Sequence, residues 1–201
     1  ALKDGAPKMR RFRLRGDGGF RLQGFIPLQV GALVRLEVLD LSHQRISGGI
    51  PRAMEDLKNL TELDLSHQWI SGEILRAMED LKNLTELDLG DSGNDGFAGP
   101  GLLPTWISSL TKLELLDLEN NAFHGSVPKG WSALKRLRTL RLNNNKLSGP
   151  FPEALLHLTN LQELYLHGNQ LSGTIPPGLG ALTNLRVLDL HENKLSGTIP
   201  L

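Results

Sequence analysis

The sequence predicts an α/β solenoid, a horseshoe in which short parallel strands alternate with 3₁₀ or short helical segments every 24 residues. The first observation is a Leu-x-Leu pair that returns at steps of 24, 24, 29, 24, 24 and 24 residues between Leu39 and Leu188. The second is a Leu-Ser-Gly or similar bend after each pair, often followed by Ile-Pro. A fixed period in this range is typical of solenoids, because one turn cannot bury a core alone. With the weaker pair Phe12/Leu14, we expect a concave parallel sheet of about eight strands.

The turn that begins at Leu36 illustrates the expected local structure. Leu39 and Leu41 alternate with outward residues, which is the periodicity of a strand. Gly48 permits a tight bend, and Pro51 starts the 3₁₀ segment on the convex side at the position where proline is tolerated. A polar side chain after each strand can satisfy backbone groups inside the turn, and glutamine should fit more loosely than asparagine. These residues are Gln44, Gln68, Asn121, Asn145, Asn169 and Asn193.

The stretch Leu164–Leu182, which reads LYLHGNQLSGTIPPGLGAL, resembles the plant-specific class of leucine-rich repeat, LxLxxNxLxGxIPxxLxxL. The resemblance extends over Phe12–Pro200. Family members include receptor-kinase ectodomains, polygalacturonase inhibitors and the repeat domains of brown-algal ROCO-type GTPases. The resemblance implies a protein-recognition domain whose ligand often lies on the outward side chains of the strands, here called the concave face. Plant receptors and inhibitors usually carry paired cysteines in flanking caps, and this chain has none.

We expect one domain over residues 1–201. Residues 1–33 are interpreted as a degenerate repeat that acts as an N-terminal cap, and residues 34–201 as regular repeats that stop partway through a turn. The missing caps favour a piece of a larger protein. An open end of the solenoid would expose core leucines, so an end-to-end dimer is a further hypothesis.

Composition excludes several classes of function. Lys+Arg and Asp+Glu both number 22, so the chain has no global attraction to nucleic acid or an anionic membrane. No apolar run is long enough to span a bilayer. Cysteine is absent, which excludes disulfides and cysteine-zinc sites. This absence mildly favours an intracellular location. The family resemblance and two glycosylation sequons, at Asn59 and Asn83, allow an extracellular location instead. No catalytic or phosphate-binding motif appears, so we predict neither enzyme activity nor a cofactor.

Two columns of outward strand residues are the most patterned surface. The first reads Arg13, Asp40, Asp64, Asp88, Asp117, Arg141, Tyr165 and Asp189, and the second adds Glu62, Glu86 and Glu163. Carboxylates about 5 Å apart repel by about 0.8 kcal/mol per pair in water, which favours a basic partner. The alternative is that Leu-Asp-Leu is a frequent version of this strand that solubilises an open face. The predicted partner-binding residues are all members of these two columns except Arg13, together with His167.

Histidines and one insertion are secondary candidates. His43 and His67 should be close neighbours and could bind zinc, but the duplicated sequence around them explains them equally well, so no metal site is predicted. The stretch Gly90–Gly101 carries five extra residues, and Asp91 and Phe97 in it are candidate partner contacts. Trp131 replaces a core residue and is expected to pack.

The sequence as a whole predicts a non-enzymatic module that recognises a protein or peptide, as in receptor, immune or signalling proteins. Two alternatives stay open: an inhibitor of a secreted wall-degrading enzyme, and an ice-binding protein. The second would need a regular threonine or asparagine array, whereas the column before Ile-Pro is irregular. Its members are Gly49, Glu73, Ser126, Pro150, Thr174 and Thr198.

Overall fold

The computed structural model describes residues 7–16, 21–70, 76–91 and 101–199, and the fold is given for these residues. The strands in chain order are β1 (Arg11–Arg13), β2 (Gln23–Gly24), β3 (Val38–Asp40), β4 (Arg45–Gly48), β5 (Glu62–Asp64), β6 (Trp69–Ile70), β7 (Glu86–Asp88), β8 (Leu115–Asp117), β9 (His124–Gly125), β10 (Thr139–Arg141), β11 (Lys146–Pro150), β12 (Glu163–Tyr165), β13 (Gln170–Thr174), β14 (Val187–Asp189) and β15 (Lys194–Ser196).

Eight of these strands form one parallel sheet in the order β1-β3-β5-β7-β8-β10-β12-β14. The register places each residue opposite its equivalent in the next turn, so Phe12 pairs with Leu39, and Leu39 pairs with Leu63. The five-residue insertion does not disturb this, because Leu87 still pairs with Leu116. The predicted concave sheet of about eight strands is confirmed.

Short 3₁₀ helices lie between successive concave strands. Each has five residues, and they span Leu28–Ala32, Arg52–Asp56, Arg76–Asp80, Thr105–Ser109, Lys129–Ala133, Glu153–His157 and Pro177–Ala181. The helix after Pro51 begins at Arg52, as the sequence predicts, with Pro51 extended at φ −71° and ψ 144°. Among the described residues, no helix is long and apolar enough to cross a membrane.

The leucines of the repeat form one continuous core between the sheet and the 3₁₀ helices. Leu116 and Leu140 are fully buried, and so is Trp131, whose Nε1 donates to the carbonyl oxygen of Pro104 at 3.1 Å. The predicted packing role of Trp131 is therefore confirmed. In the last described turn, Leu188 and its neighbouring core leucines are only partly buried.

The polar residues that follow the strands bridge neighbouring turns. Asn145 donates from Nδ2 to the carbonyl oxygen of Leu118 at 2.9 Å and accepts the amide of Phe123 at Oδ1 at 3.0 Å. Asn169 and Asn193 make the equivalent pair of bonds to the turn before each of them. These side chains satisfy buried backbone groups that the bend leaves unpaired, as expected.

The two glutamines make the same bridge, Gln68 with three hydrogen bonds and Gln44 with two. Gln44 donates to the carbonyl oxygen of Leu14 at 2.8 Å and accepts the amide of Leu22 at 2.7 Å. Asn145 makes two additional bonds, each 3.2 Å long, to carbonyl oxygens of its own turn. The looser fit expected for glutamine thus appears at Gln44 as a smaller number of hydrogen bonds.

The asparagines of the two sequons have a structural role. Nδ2 of Asn59 donates to the carbonyl oxygen of Val34, and Nδ2 of Asn83 to that of Lys58, at 2.8 Å in both cases. Asn160 makes the equivalent bond at 2.7 Å although its sequence is not a sequon. Packing between turns is therefore sufficient to explain asparagine at this position.

Candidate functional site

The outward strand residues form the column that the sequence predicts. Asp40 pairs with Asp64, Asp64 with Asp88, and Asp88 with Asp117 across successive parallel strands. The remaining predicted members of the concave face are also in register; they are Arg13, Glu62, Glu86, Arg141, Glu163, Tyr165 and Asp189.

The aspartate column is less accessible than the sequence suggests. Asp40 and Asp117 are only 4% and 3% exposed. Oδ1 of each accepts the backbone amide two residues later, from Ser42 at 3.1 Å and from Glu119 at 3.0 Å. These two carboxylates therefore hold the turn at the end of the strand and present little surface to solvent.

Arginines of the first strand and its extension neutralise the N-terminal part of the column. The guanidinium of Arg13 lies 2.7 Å from a carboxylate oxygen of Glu62. Arg15 lies 3.5 Å from Asp40 through Nε and 3.9 Å from Asp64 through Nη2. The pairing of these two arginines removes three carboxylates of the concave face from the acidic surface.

Arg141 has the same effect on the other side of the column. Its Nη1 lies 3.1 Å from Oδ2 of Asp117, and its guanidinium stacks over the ring of Tyr165, 5.6 Å from the centroid. Burial raises the pKa of Asp117, although the amide of Glu119 and the guanidinium of Arg141 act in the opposite direction. Arg141 therefore compensates a carboxylate that is costly to keep charged.

Glu86 and Asp88, on strand β7, remain between these two neutralised regions and are called here the acidic centre. Within the described residues, no cation lies within 4 Å of either carboxylate. Burial, followed by repulsion from Asp117, raises the pKa of Asp88 to about 7. Burial and the neighbouring Glu62 raise the pKa of Glu86. The acidic centre is thus the part of the column where the described residues place no cation in contact with a carboxylate, although the charge of Arg13 acts to lower the pKa of Glu86.

His43 and His67 stack face to face, with ring centroids 4.0 Å apart and planes inclined by 16°. Their predicted proximity is confirmed. Both have left-handed backbones, with φ of 58° and 54°, at a bend position where other turns have Asn120 or Gly168. Burial and the adjacent His67 lower the pKa of His43.

A polar groove of about 700 Å³ lies beside this pair. Its lining includes His67, Asp91, Asn120, Asn144 and Lys146. Nε2 of His67 lies 3.3 Å from Oδ2 of Asp91. Asp91, which the sequence predicts as a partner contact, therefore faces the groove. Phe97, the other candidate of the insertion, lies outside the described residues.

A second stacked pair, His167 and His191, lies at the C-terminal end of the concave face. Their ring centroids are 4.5 Å apart with planes inclined by 9°, and the ring of Tyr165 meets His167 edge-on. Nδ1 of His191 lies 2.5 Å from Oδ1 of Asp189, and Nδ1 of His167 lies 3.2 Å from Oδ2 of the same carboxylate. This group was not predicted from the sequence, although the 24-residue step between the histidines and the nearby Asp189 signal it.

Comparisons with known proteins agree with this architecture. A family model described as "Leucine rich repeat" matches residues 34–93 and 111–171, and a model of two leucine-rich repeat copies matches residues 159–201. No curated protein matches the chain.

Solved structures of plant receptors are similar to the chain. The plant peptide hormone receptor RGFR1 in complex with RGF2 is 36% identical, with a TM-score of 0.80 over 90% of this chain and 28% of that chain. The Arabidopsis receptor kinase HAESA in complex with the peptide hormone IDA and the co-receptor SERK1 is 30% identical, with a TM-score of 0.82 over 94% and 30%. The chain thus spans less than a third of either receptor chain.

A plant ice-binding protein is also similar. It is 27% identical, with a TM-score of 0.56 over 94% of this chain and 74% of that chain.

Proposed function

Because the chain belongs to the leucine-rich repeat family, we propose that it is a non-enzymatic recognition module that binds a protein or peptide on its concave face. The acidic centre is the observation that carries this proposal. Glu86 and Asp88 lie in the middle of a continuous eight-stranded face and, within the part of the chain that the structure describes, have no cation within 4 Å, while the carboxylates on both sides are paired with arginines. The two receptors compared above, whose structures contain peptide hormones, support the same class of function.

The arrangement of charge favours a ligand with a basic residue at one position. Glu86 and Asp88 are two residues apart on one strand, so both side chains project from the same face. Burial raises the pKa values of both groups and repulsion from Glu62 and Asp117 adds to it, and a lysine or arginine placed over them would oppose that repulsion. The flanking pairs Arg13–Glu62 and Arg141–Asp117 would restrict that basic residue to the centre.

A role in receptor, immune or signalling proteins belongs to this proposal, because the chain covers only part of the receptors it resembles. A basic ligand and end-to-end dimerisation likewise remain predictions. Ice binding has less support, because the column that contains Gly49, Ser126, Pro150, Thr174 and Thr198 presents no regular array.

Selection from a displayed library of linear peptides tests the proposal. We expect the selected peptides to be enriched in lysine and arginine. One synthetic peptide from the selection should bind the double variant Glu86→Gln/Asp88→Asn at least tenfold more weakly than the unmodified chain, as measured by fluorescence anisotropy.

The control variant is Asp80→Asn. Asp80 is an exposed acid on the convex side, 2.9 Å from Lys58, and its removal should leave peptide affinity unchanged. Peptides that bind the double variant as tightly as the unmodified chain would contradict the assignment to the acidic centre. Failure to select any binding peptide, or a loss of peptide affinity in Asp80→Asn, would contradict recognition on the concave face.

A further inference from the structure

Three potential metal ligands converge at the C-terminal end of the concave face, in what is called here the histidine–aspartate cluster: His167, Asp189 and His191. One nitrogen from each histidine and one oxygen of the aspartate all lie within 4.8 Å of one another. Within the described part of the chain, this is the one group of three or more histidine or acidic side chains that meets that condition. The cluster joins two successive turns, because His167 follows strand β12, and Asp189 and His191 lie at the end of β14.

Both histidine rings present a nitrogen to the same carboxylate. Oδ1 of Asp189 lies 2.5 Å from Nδ1 of His191, and Oδ2 lies 3.2 Å from Nδ1 of His167. Nδ1 of His167 is buried and has no hydrogen-bond partner despite this short separation. A buried ring nitrogen without a hydrogen bond, beside a carboxylate, is a potential metal ligand.

Two imidazoles and one carboxylate are a donor set that suits zinc and related divalent ions. The side chain of His191 is 58% exposed, so its ring can turn toward a shared ion without disturbing the core. Its exposure also gives an ion access from solvent and leaves a coordination position for water or one ligand atom.

The other stacked pair shows that two neighbouring histidines alone do not create this arrangement. His43 and His67 occupy the left-handed bend, one position later in the turn, and only His67 approaches a carboxylate, that of Asp91. In the C-terminal pair, both rings share the carboxylate of one aspartate.

We propose that His167, Asp189 and His191 form a binding site for one divalent transition-metal ion of the zinc class on the concave face.

Isothermal titration of the full chain with ZnCl₂ at pH 7 tests this proposal. We expect one ion per chain and at least tenfold weaker binding to His191→Gln and to Asp189→Asn. Asn retains the oxygen that accepts the backbone amide of His191, so Asp189→Asn should preserve the fold. Circular dichroism of each variant checks that it is folded.

The double variant His43→Gln/His67→Gln is the matched control and should bind zinc as the unmodified chain does. Titration with Co²⁺ gives a second readout, because histidine coordination should produce visible d–d absorption that is lost in His167→Gln. Absence of saturable zinc binding to the unmodified chain would overturn the proposal. Zinc binding that survives Asp189→Asn and His191→Gln, or that disappears in the control, would also overturn it.

Discussion

The N-terminal half of the solenoid, up to Asp91, and the C-terminal half, from Gly101, are built from the same turn but complete it with different side chains. In the first half, Gln44 and Gln68 bridge the turns, whereas Asn145 and Asn169 do so in the second. Asn145 makes four hydrogen bonds and Gln44 makes two. The difference teaches that the backbone of the repeat accepts either amide, and that the number of bonds depends on the turn as well as on the side chain, since Gln68 makes three.

The largest expected difference between the halves concerns two tryptophans. Trp131 is fully buried in the C-terminal half, whereas Trp69 in the N-terminal half is 60% exposed, with the guanidinium of Arg45 5.8 Å from its ring centroid. We expect Trp131→Ala to lower the free energy of unfolding by about 3–5 kcal/mol, because it removes a large core side chain and leaves a cavity. Trp69→Ala should cost less than about 1 kcal/mol.

Urea unfolding followed by circular dichroism measures both changes. Equal destabilisation by the two variants would contradict the expected difference between a buried and an exposed tryptophan.

The bridging amides give the next largest difference. Asn145→Ala leaves the amide of Phe123 buried without its partner and leaves the carbonyl of Leu118 with only the longer bond from Nδ2 of Asn121, so we expect a loss of about 2–3 kcal/mol. Gln44→Ala should cost about 1–2 kcal/mol, because it breaks two bonds near the more exposed Leu22.

Chemical unfolding of both variants at one pH tests the order. If Gln44→Ala proved the more destabilising of the two, the number of hydrogen bonds would not be what distinguishes the two halves.

The smallest expected effect lies where the halves meet, at Asp88. Its pKa in the folded chain is about 7, against 3.8 for the free side chain, so its contribution to stability is fully present below about pH 4 and is lost as the pH rises through 7. Asp88→Asn should therefore stabilise the chain by about 1–3 kcal/mol at pH 8 and have little effect at pH 4. The amide oxygen of the new asparagine can still accept the backbone N–H of Gly90.

Asp64→Asn is the matched control for this prediction. Asp64 accepts the amide and hydroxyl of Ser66 and lies 3.9 Å from Arg15, so its neutralisation should cost about 0.5–1 kcal/mol at pH 8. Thermal unfolding of both variants at pH 4, 6 and 8 measures the signs. A stability profile for Asp88→Asn parallel to that of the unmodified chain would show that Asp88 does not carry the pH dependence.

The sequence was sufficient to predict the fold because leucine spacing and the bend residues act locally and repeat. The position of Leu39 in a strand and the start of a 3₁₀ helix after Pro51 both follow from one turn, and the repeat extends them along the chain. The register between neighbouring strands was also predictable from the sequence, because a slip by one residue would turn the leucines out of the core.

The site was predicted only in part, because burial and charge pairing depend on side-chain direction as well as on position. The sequence placed Asp40 and Asp117 in the correct column, but neither their burial nor the arginines that pair with them are visible in a Leu-Asp-Leu pattern. The grouping of His167 with Asp189 and His191 depends on rotamers in two successive turns, so sequence spacing alone could not distinguish it from the pair His43–His67.

The direction in which the bridging amides reach has a consequence for synthesis of the chain. Asn145 and Asn169 each bond to backbone groups of the turn that precedes them, Leu118 and Phe123 in one case and Leu142 and Leu147 in the other. A turn is therefore completed by a side chain that is translated about one repeat later. On the ribosome, the most recent turn would remain open at its bend until the next repeat had emerged, and folding would advance from the amino terminus one repeat behind translation.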